Sequence, residues 1–275
     1  MGILALKTYK DQLGREVQIN GIPQKIISLV PSQTEFLIDL GLEDQIAGIT
    51  KFCIHPKEVF IRKTRIGGTK KIDFNKIKKL SPDLIICNKE ENQKEQIEIL
   101  MESYPVWVSD IKTLEDAYEM MEKIGEITGR EENASVIVNE IKSAFNLLYQ
   151  SKNPAYKVAY FIWRNPYMVA ASDNFIDHML RTSGFMNVFR NHSLRYPSIT
   201  IEELLPFNPD LIFLSSEPFP FSEKYIPEFQ QAFPKAKIIV VDGEMFSWYG
   251  SRLRYAPSYL LQLINNLKTA ENPIN

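Results

Sequence analysis

One nine-residue pattern occurs twice in this chain of 275 residues and constrains its fold more than any other feature. The segment LSPDLIICN covers residues 80–88, and FNPDLIFLS covers residues 207–215. Each copy is predicted to follow a short helix and to precede a helix and a second buried strand, VWVSD or IIVVDG. The prolines of the two copies are 127 residues apart, too long a period for a solenoid. The repeat therefore predicts two related α/β lobes.

A long amphipathic helix is predicted between the two copies. After Gly129, apolar residues recur at steps of four and three, which places them on one face of a helix about 20 residues long. These residues are Ala134, Val138, Ile141, Phe145 and Leu148. Pro154 is expected to end this helix. We therefore predict an N-terminal lobe at residues 1–129, a connecting helix at 130–153 and a C-terminal lobe at 154–275.

The N-terminal lobe is expected to open with a hairpin and then a buried strand. Short apolar segments flank KDQLGR, whose Gly14 marks a tight turn. The run IISLV at 26–30 is typical of a strand covered on both faces. Ser32 and Glu35 have the spacing of a capping box that would start the next helix. The turn before this helix contains no glycine, which argues against a phosphate-binding loop.

Composition excludes several classes of protein. A net charge of −2 gives no overall attraction to nucleic acid, and no apolar run is long enough to span a membrane. The apolar stretch Ile3–Leu6 is too short for a secretory leader, so we expect either a cytoplasmic protein or one whose leader is missing from this sequence. Cys53 and Cys87 fit no disulfide framework or zinc motif and are expected to be buried.

The order of these segments resembles one family, the class III substrate-binding proteins of ABC importers, which have a helical backbone and bind cobalamin, ferric siderophores or haem. The similarity includes DQLGREV, KIISLVPSQTEFLIDLGL, the two PDLI strands, WRNPYMVAASDNFIDHMLRTSGFMNVF and VDGEMFSWYGSRL, and it covers nearly the whole chain. It is nearest to the cobalamin-binding branch. The resemblance implies two Rossmann-like α/β lobes with parallel sheets, joined by one long helix, with a ligand cleft between the lobes.

The same resemblance implies a function and a location. We expect a monomer that captures cobalamin or an iron(III) chelate and delivers it to the permease of an ABC importer. No intrinsic cofactor, protein-bound metal or nucleic acid partner is expected. The protein would lie in the periplasm or be anchored outside the membrane if a leader precedes this sequence, and in the cytoplasm otherwise.

Three predicted loops carry the candidate ligand residues, because each follows the carboxyl end of a strand and combines aromatic with basic side chains. Aromatic faces can stack on a conjugated chelate, and basic groups can bind its polar rim. The candidates are Lys51, Phe52, His55, Trp163, Arg164, Trp248, Tyr249 and Arg252. We expect Trp163 and Trp248 to stack on the ligand and the two arginines to contact its rim. Trp107 lies inside a strand and is expected in the core.

The histidines do not predict a metal site. His55 is either an axial ligand to the metal of the chelate or an ordinary surface group. His178 and His192 have no second histidine or carboxylate at the spacing of metal ligands. We therefore expect the protein to bind the intact chelate rather than the bare ion.

Permease docking in the resembled family uses two surface carboxylates, one in each lobe. Glu202 matches the position in the C-terminal lobe, although the helix dipole could equally explain an acid there. Asn75 occupies the position in the N-terminal lobe. Residues 51–79, predicted as a polar loop and then a short helix, contain ten lysines and arginines against two acids. These cations would repel permease arginines, which calls docking to a standard permease into question.

Two other functions stay open from the sequence alone. A chelatase-like enzyme acting on tetrapyrroles shares the helix-linked lobe pair, and Asp173, Asp177 and His178 lie close enough in sequence for acid–base chemistry. A cytoplasmic protein that binds a corrinoid or another chelate without a transporter is the second alternative. The sequence contains no nucleophile elbow, phosphate loop or pair of metal ligands, which favours binding over catalysis.

Overall fold

The computed structural model describes residues 6–150 and 155–271, with side chains up to residue 269. The chain divides into two compact units. The first contains the residues up to Ile111, Glu115–Ile141 and Tyr249–Arg252, and the second contains Lys112–Leu114, Lys142–Trp248 and the residues from Leu253 onward. The domain limits expected at 129 and 154 and the cleft expected between the lobes stay predictions. The apolar stretch at residues 3–6, apart from its last residue, and the helix stop at Pro154 lie outside the described residues.

The first unit opens with the predicted hairpin. Strands β1 (Leu6–Lys10) and β2 (Glu16–Asn20) pair in antiparallel register. Gly14 has a φ of +78°, which suits glycine. The buried Asp11 closes the turn, because its carboxylate accepts the backbone N–H of Leu13 at 3.0 Å and of Arg15 at 2.9 Å. The hairpin prediction is confirmed.

A five-stranded parallel sheet forms the centre of the first unit, in the order β5-β4-β3-β6-β7. Its strands are β3 (Ile26–Ser28), β4 (Ile46–Ile49), β5 (Thr64–Arg65), β6 (Leu84–Asn88) and β7 (Val106–Ser109). Every residue of β3, β6 and β7 is buried, including Trp107, as the continuous apolar runs predict.

Six helices accompany this sheet in the described part of the N-terminal half. They are α1 (Pro31–Asp39), α2 (Lys57–Arg62), α3 (Phe74–Leu80), α4 (Lys94–Met101), α5 (Leu114–Thr128) and α6 (Glu131–Gln150). The predicted capping box at Ser32 and Glu35 is wrong. The helix begins at Pro31, whose fixed φ suits a first turn, with Val30 as an N-cap that makes no side-chain bond. Glu35 instead accepts two bonds from Arg252.

The polar loop predicted up to residue 71 is also wrong in part. Helix α2 and strand β5 lie inside it, because Val59 supplies a buried contact and Thr64–Arg65 extends the edge of the sheet beside β4. The long helix after Gly129 is confirmed as the 20-residue α6. Its five predicted apolar positions, from Ala134 to Leu148, are all buried. Residues up to Ile141 belong to the first unit, and those from Lys142 to the second.

The second unit contains a six-stranded sheet in the order β11-β9-β8-β12-β13, with β10 also paired to β8. The strands are β8 (Lys157–Trp163), β9 (Tyr167–Val169), β10 (Met186–Asn187), β11 (Ser198–Ile199), β12 (Leu211–Ser215) and β13 (Lys237–Val241). The pairs that join β8, β10, β12 and β13 are parallel. Strands β9 and β11 add an antiparallel edge that the sequence did not predict.

The helices of this unit are α7 (Phe175–Thr182), α8 (Ile201–Leu204), α9 (Ile226–Ala232), α10 (Glu244–Ser247) and α11 (Ala256–Glu271). Its apolar core includes Phe161, Leu214 and Phe229. The fold is therefore α/β in both units, with central parallel strands, as the sequence predicts.

The repeated PDLI segments have the same local structure in the two units. Each forms a fully buried strand, β6 or β12. Asp83 exchanges backbone and side-chain bonds with Lys25, just before β3, at 3.0 and 2.9 Å. Asp210 makes the same pair of bonds with Lys157, at the start of β8, at 2.9 and 2.8 Å. The motif therefore fixes the register between two central strands in each unit.

Candidate functional site

The loops that follow β8, β12 and β13 are joined by hydrogen bonds at the carboxyl edge of the second sheet. The backbone N–H of Phe219 donates to the carbonyl of Ile162 at 3.3 Å. The N–H of Gly243 donates to Ser216 Oγ at 2.9 Å. The hydroxyl of Ser247 donates to Glu217 Oε1 at 2.5 Å. Residues distant in sequence are thus held together at one edge, where α/β sheets bind ligands.

A group of aromatic rings is partly exposed at this edge, and we call Trp163, Phe219 and Tyr225 the aromatic platform. Trp163 is 39% exposed, and its ring centroid lies 5.8 Å from that of Phe219. Phe219 lies 5.6 Å from Tyr225. The buried Phe221 contacts both rings and supports them. The platform offers apolar area and π faces to a flat conjugated ligand.

Trp163 was predicted from the sequence as a ligand residue, whereas Phe219 and Tyr225 were not. Both lie in EPFPFSEKY, which directly follows the second PDLI strand, and this position and its aromatic content were the available signal. What the sequence could not show is that this loop packs beside the end of β8, because that contact joins residues more than 50 positions apart.

Arg164 lies beside the platform with its guanidinium held on two sides. Its Cζ lies 5.2 Å from the ring centroid of Tyr225. Its Nη2 lies 3.1 Å from Glu228 Oε2, and the two side chains are about one third exposed, at 29% and 36%. A cation–π contact combined with an ion pair restricts the rotamers of the arginine, so its remaining N–H groups have a defined direction.

Three other candidates have less contact with solvent. Trp248 and Tyr249 are 7% and 6% exposed. Arg252, in the first unit, donates from Nε and Nη2 to Glu35 at 2.8 and 2.7 Å. A side-chain Cβ at Gly250 would lie 2.8 Å from the carbonyl oxygen of Ser32, so this segment packs closely against the start of α1. The ligand roles expected for these three residues stay predictions.

In the first unit, the loop after β4 exposes one aromatic ring and one cation together. Phe52 is 48% exposed, and Lys51 Nζ lies 5.0 Å from its ring centroid. Both side chains pack over Gly68, where an added Cβ would lie 3.2 Å from the Phe52 ring and 3.3 Å from Lys51 Cε. His55 is half-buried nearby in sequence. The structure thus brings Lys51 and Phe52 together.

Beneath this loop, Cys53 contributes to the packing of the first unit. It is 1% exposed, and its sulfur lies 3.1 Å from the hydroxyls of Thr34 and Thr50. Burial raises the pKa of the thiol, which keeps it protonated and unreactive. Cys87 is also buried and free, so the prediction that both cysteines are buried is confirmed.

The first unit contains a buried polar network at the ends of its central strands, and the sequence did not predict it. Ser109 Oγ accepts from Gln33 Nε2 at 2.6 Å and from Asn88 Nδ2 at 3.0 Å. Asn92 donates to the carbonyls of Leu29 and Thr69 at 3.3 and 3.1 Å. These bonds join the ends of β3, β6 and β7 to neighbouring loops, and they satisfy polar groups that burial would otherwise penalise.

The docking candidates occupy equivalent positions in the two units. Glu202 is the second residue of α8, after the N-cap Thr200, and Asn75 is the second residue of α3, after the N-cap Asp73. Both side chains are exposed. Hydrogen bonds from its own backbone N–H and from Thr200 hold the pKa of Glu202 below its ordinary value. The two positions match in structure but differ in charge.

The acidic residues considered for catalysis have structural partners. The Asp173 carboxylate lies 3.0 Å from Lys112 and 2.8 Å from Arg195, and the bond from Lys112, followed by that from Arg195, lowers its pKa. Asp177 is buried and accepts from Arg181 at 3.0 Å and Asn187 at 2.9 Å. Both carboxylates therefore stabilise the second unit.

The described residues contain neither a metal-binding cluster nor a membrane-spanning helix. Within residues 6–150 and 155–271, no group of three or more His, Cys, Asp or Glu side chains is arranged to hold a metal ion. No helix in this described part of the chain is long and apolar enough to cross a membrane.

Comparison with known proteins gives a family match over most of the chain. The family model described as "Periplasmic binding protein" matches residues 26–236. The vitamin B12-binding protein of Vibrio campbellii is 26% identical over 199 residues, which cover 71% of this chain and 72% of that protein. The uncharacterized ABC transporter substrate-binding lipoprotein YvrC of Bacillus subtilis is 28% identical over 215 residues, which cover 74% of this chain and 68% of that protein.

Solved structures share the fold. The periplasmic vitamin B12-binding protein BtuF of Vibrio cholerae superposes with a TM-score of 0.76 at 20% identity and covers 91% of this chain and 98% of its own. A periplasmic heme-binding protein from Pseudomonas aeruginosa has a TM-score of 0.76 at 19% identity and covers 88% and 93%.

Proposed function

Because the chain belongs to the periplasmic binding protein family, we propose that it captures a bulky metal chelate for import. Family membership makes it a substrate-binding protein of ABC transport rather than an enzyme. The ligands of its relatives are transported molecules and not cofactors. Cobalamin is our first candidate ligand, because the relatives similar in sequence include vitamin B12-binding proteins. An iron chelate such as haem is the second, because proteins of the same fold bind haem.

The aromatic platform is the observation that carries this proposal. Three partly exposed rings, Trp163, Phe219 and Tyr225, lie beside a cation at the edge of a sheet where α/β proteins bind ligands. Rings of this kind contact a corrin or porphyrin through dispersion and stacking, and they lose little conformational entropy on binding. In this proposal Arg164 donates hydrogen bonds to the ligand rim.

The other predicted residues receive more specific roles in this proposal. Lys51 and Phe52 form the exposed ligand surface of the first unit, and His55 borders it. Trp248 and Tyr249 are buried, and their contact with the ligand stays a prediction. Arg252 is paired with Glu35, and its contact with the ligand rim also stays a prediction.

Family members deliver their ligands to the permease of an ABC transporter and work outside the cytoplasm, as periplasmic proteins or lipoproteins. For this chain we propose the same location, action as a monomer, and docking through Glu202 at the start of α8. Asn75 carries no charge, and Lys78 and Lys79 are exposed on the same helix. We therefore propose that α3 contacts the permease without an acid–arginine pair, since these lysines would repel arginines.

Calorimetric titration of the purified protein with cyanocobalamin and with haemin tests this proposal. Trp163→Ala should weaken binding of the recognised chelate by about 1 to 3 kcal/mol, the scale of an aromatic hot spot. The matched control is Tyr149→Ala, which removes an aromatic ring that is 54% exposed on α6. Equal affinities of the wild type and the Trp163 variant would show that the platform is not the ligand surface.

A further inference from the structure

The charges around the aromatic platform are not those of a site for an anionic ligand. Arg164 and Lys224 both lie about 5 Å from the Tyr225 ring, at 5.2 and 4.9 Å. Three acidic residues lie in the segment that carries Phe219 and Tyr225: Glu228, which pairs with Arg164, Glu217, which accepts from Ser247, and the exposed Glu223. Acidic residues thus outnumber the two cations near Tyr225.

We propose that Glu228 makes the platform selective for chelates with a neutral, amide-bearing rim over chelates with a carboxylate-bearing rim. The inference rests on the proposed function, because it assumes that a chelate binds at the platform. It assigns Glu228 the role of a specificity-determining residue that acts through the guanidinium of Arg164.

The physical reason is that Arg164 is already an ion-pair partner. A ligand carboxylate that approached Arg164 would share the guanidinium with the Glu228 carboxylate, and two like charges close together repel each other. The oxygen of a neutral amide accepts a hydrogen bond from the remaining N–H groups without this repulsion. The Tyr225 ring on the guanidinium limits its movement away from Glu228.

Glu217 precedes Phe219 by two residues, and its carboxylate accepts from Ser247 at 2.5 Å. A negative charge in this segment adds to the cost of bringing a carboxylate to it, and it has no such effect on an amide. The rim of cobalamin carries neutral amides, whereas that of haem carries two propionates, so the charges favour the corrinoid class.

The test compares matched ligands that differ only in this group. Cyanocobalamin is titrated against its monocarboxylic acid, in which one peripheral amide is hydrolysed, and haemin dimethyl ester is titrated against haemin. The wild type should bind the neutral member of the recognised pair about two- to fivefold more tightly, the range expected for one partly exposed charge pair. Glu228→Gln should remove this preference, and added salt should reduce it in the wild type.

Glu223→Gln is the matched control. It removes an exposed carboxylate that lies five residues before Glu228 and does not bind Arg164. It should keep most of the preference. Arg164→Gln should weaken both ligands, and the charged one more, because it removes the cation and leaves the Glu228 carboxylate unpaired. If neither pair binds, the proposed function and this inference both fail. If a pair binds and Glu228→Gln leaves its ratio of affinities unchanged, only the assignment of Glu228 is overturned.

Discussion

Asp11 shows how one side chain can fix a segment of this protein. Its carboxylate is fully buried, and it accepts from the backbone N–H groups of Leu13 and Arg15 and from the Arg15 guanidinium. It also lies 3.4 Å from the backbone nitrogen of Val108, at the end of the first sheet. Asp11 thus links the turn of the hairpin to the sheet, beside the bonds that Gln12 and Arg15 make to Val108 and Val106.

Asp11→Ala should therefore destabilise the protein. Removing the carboxylate leaves several donors without an acceptor, and we expect the free energy of unfolding to fall by about 2 to 4 kcal/mol. Glu16→Gln, at an exposed position of the same hairpin, is the control and should change stability by less than about 0.5 kcal/mol. Urea denaturation measures both variants. Equal stability of the two variants would mean that Asp11 does not anchor the hairpin.

Some properties of single residues could be predicted from the sequence, and others could not. Trp107 in the core and the buried cysteines follow from local pattern alone. The bonds between Arg252 and Glu35 do not, because 217 positions separate the two residues. The spacing of Ser32 and Glu35 predicted a capping box with Ser32 as the N-cap, but the N-cap is Val30, two residues earlier.

At the scale of elements, the two PDLI strands begin in the same way. The residue before each proline has a left-handed backbone, with a φ of 48° at Ser81 and 42° at Asn208. This conformation strains most side chains, but asparagine tolerates it better than serine does. At this equivalent position, the C-terminal copy therefore has the residue that suits a left-handed backbone better, Asn208.

Exchanging these residues gives opposite predicted effects. Ser81→Asn should raise the free energy of unfolding by about 0.5 kcal/mol, and Asn208→Ser should lower it by a similar amount, because left-handed backbone favours asparagine. Thermal denaturation of both variants beside the wild type provides the measurement. A shift of the same sign in both variants would contradict the claim that the two sites are structurally equivalent.

Elements with strong internal periodicity were predictable. The stripe from Ala134 to Leu148 defined α6, and the continuous apolar runs defined β6, β8 and β12. Helix α2 and strands β9 and β11 were missed because they are only two to six residues long and contain little pattern. Such elements are fixed by neighbours that are distant in the sequence, as β5 is by β4.

At the scale of the whole molecule, the two units share central parallel strands and the PDLI motif but not a charge pattern. Helix α3 exposes Asn75, Lys78 and Lys79, while the equivalent α8 exposes Glu202 and Glu203. The repeat was visible in the sequence, and so was this difference. The platform was not, since it required the end of β8 and the segment after β12 to meet at one edge of the sheet.

The central claim is that the chain binds an intact metal chelate and does not transform it. The most direct measurement incubates the purified protein with cyanocobalamin, haemin or a ferric hydroxamate, determines the stoichiometry by calorimetry, and identifies the released ligand by mass spectrometry. We predict saturation at one chelate per chain for one of the three and recovery of that ligand unchanged. Failure to bind any of them, or recovery of a ligand with its metal removed or inserted, would contradict the account.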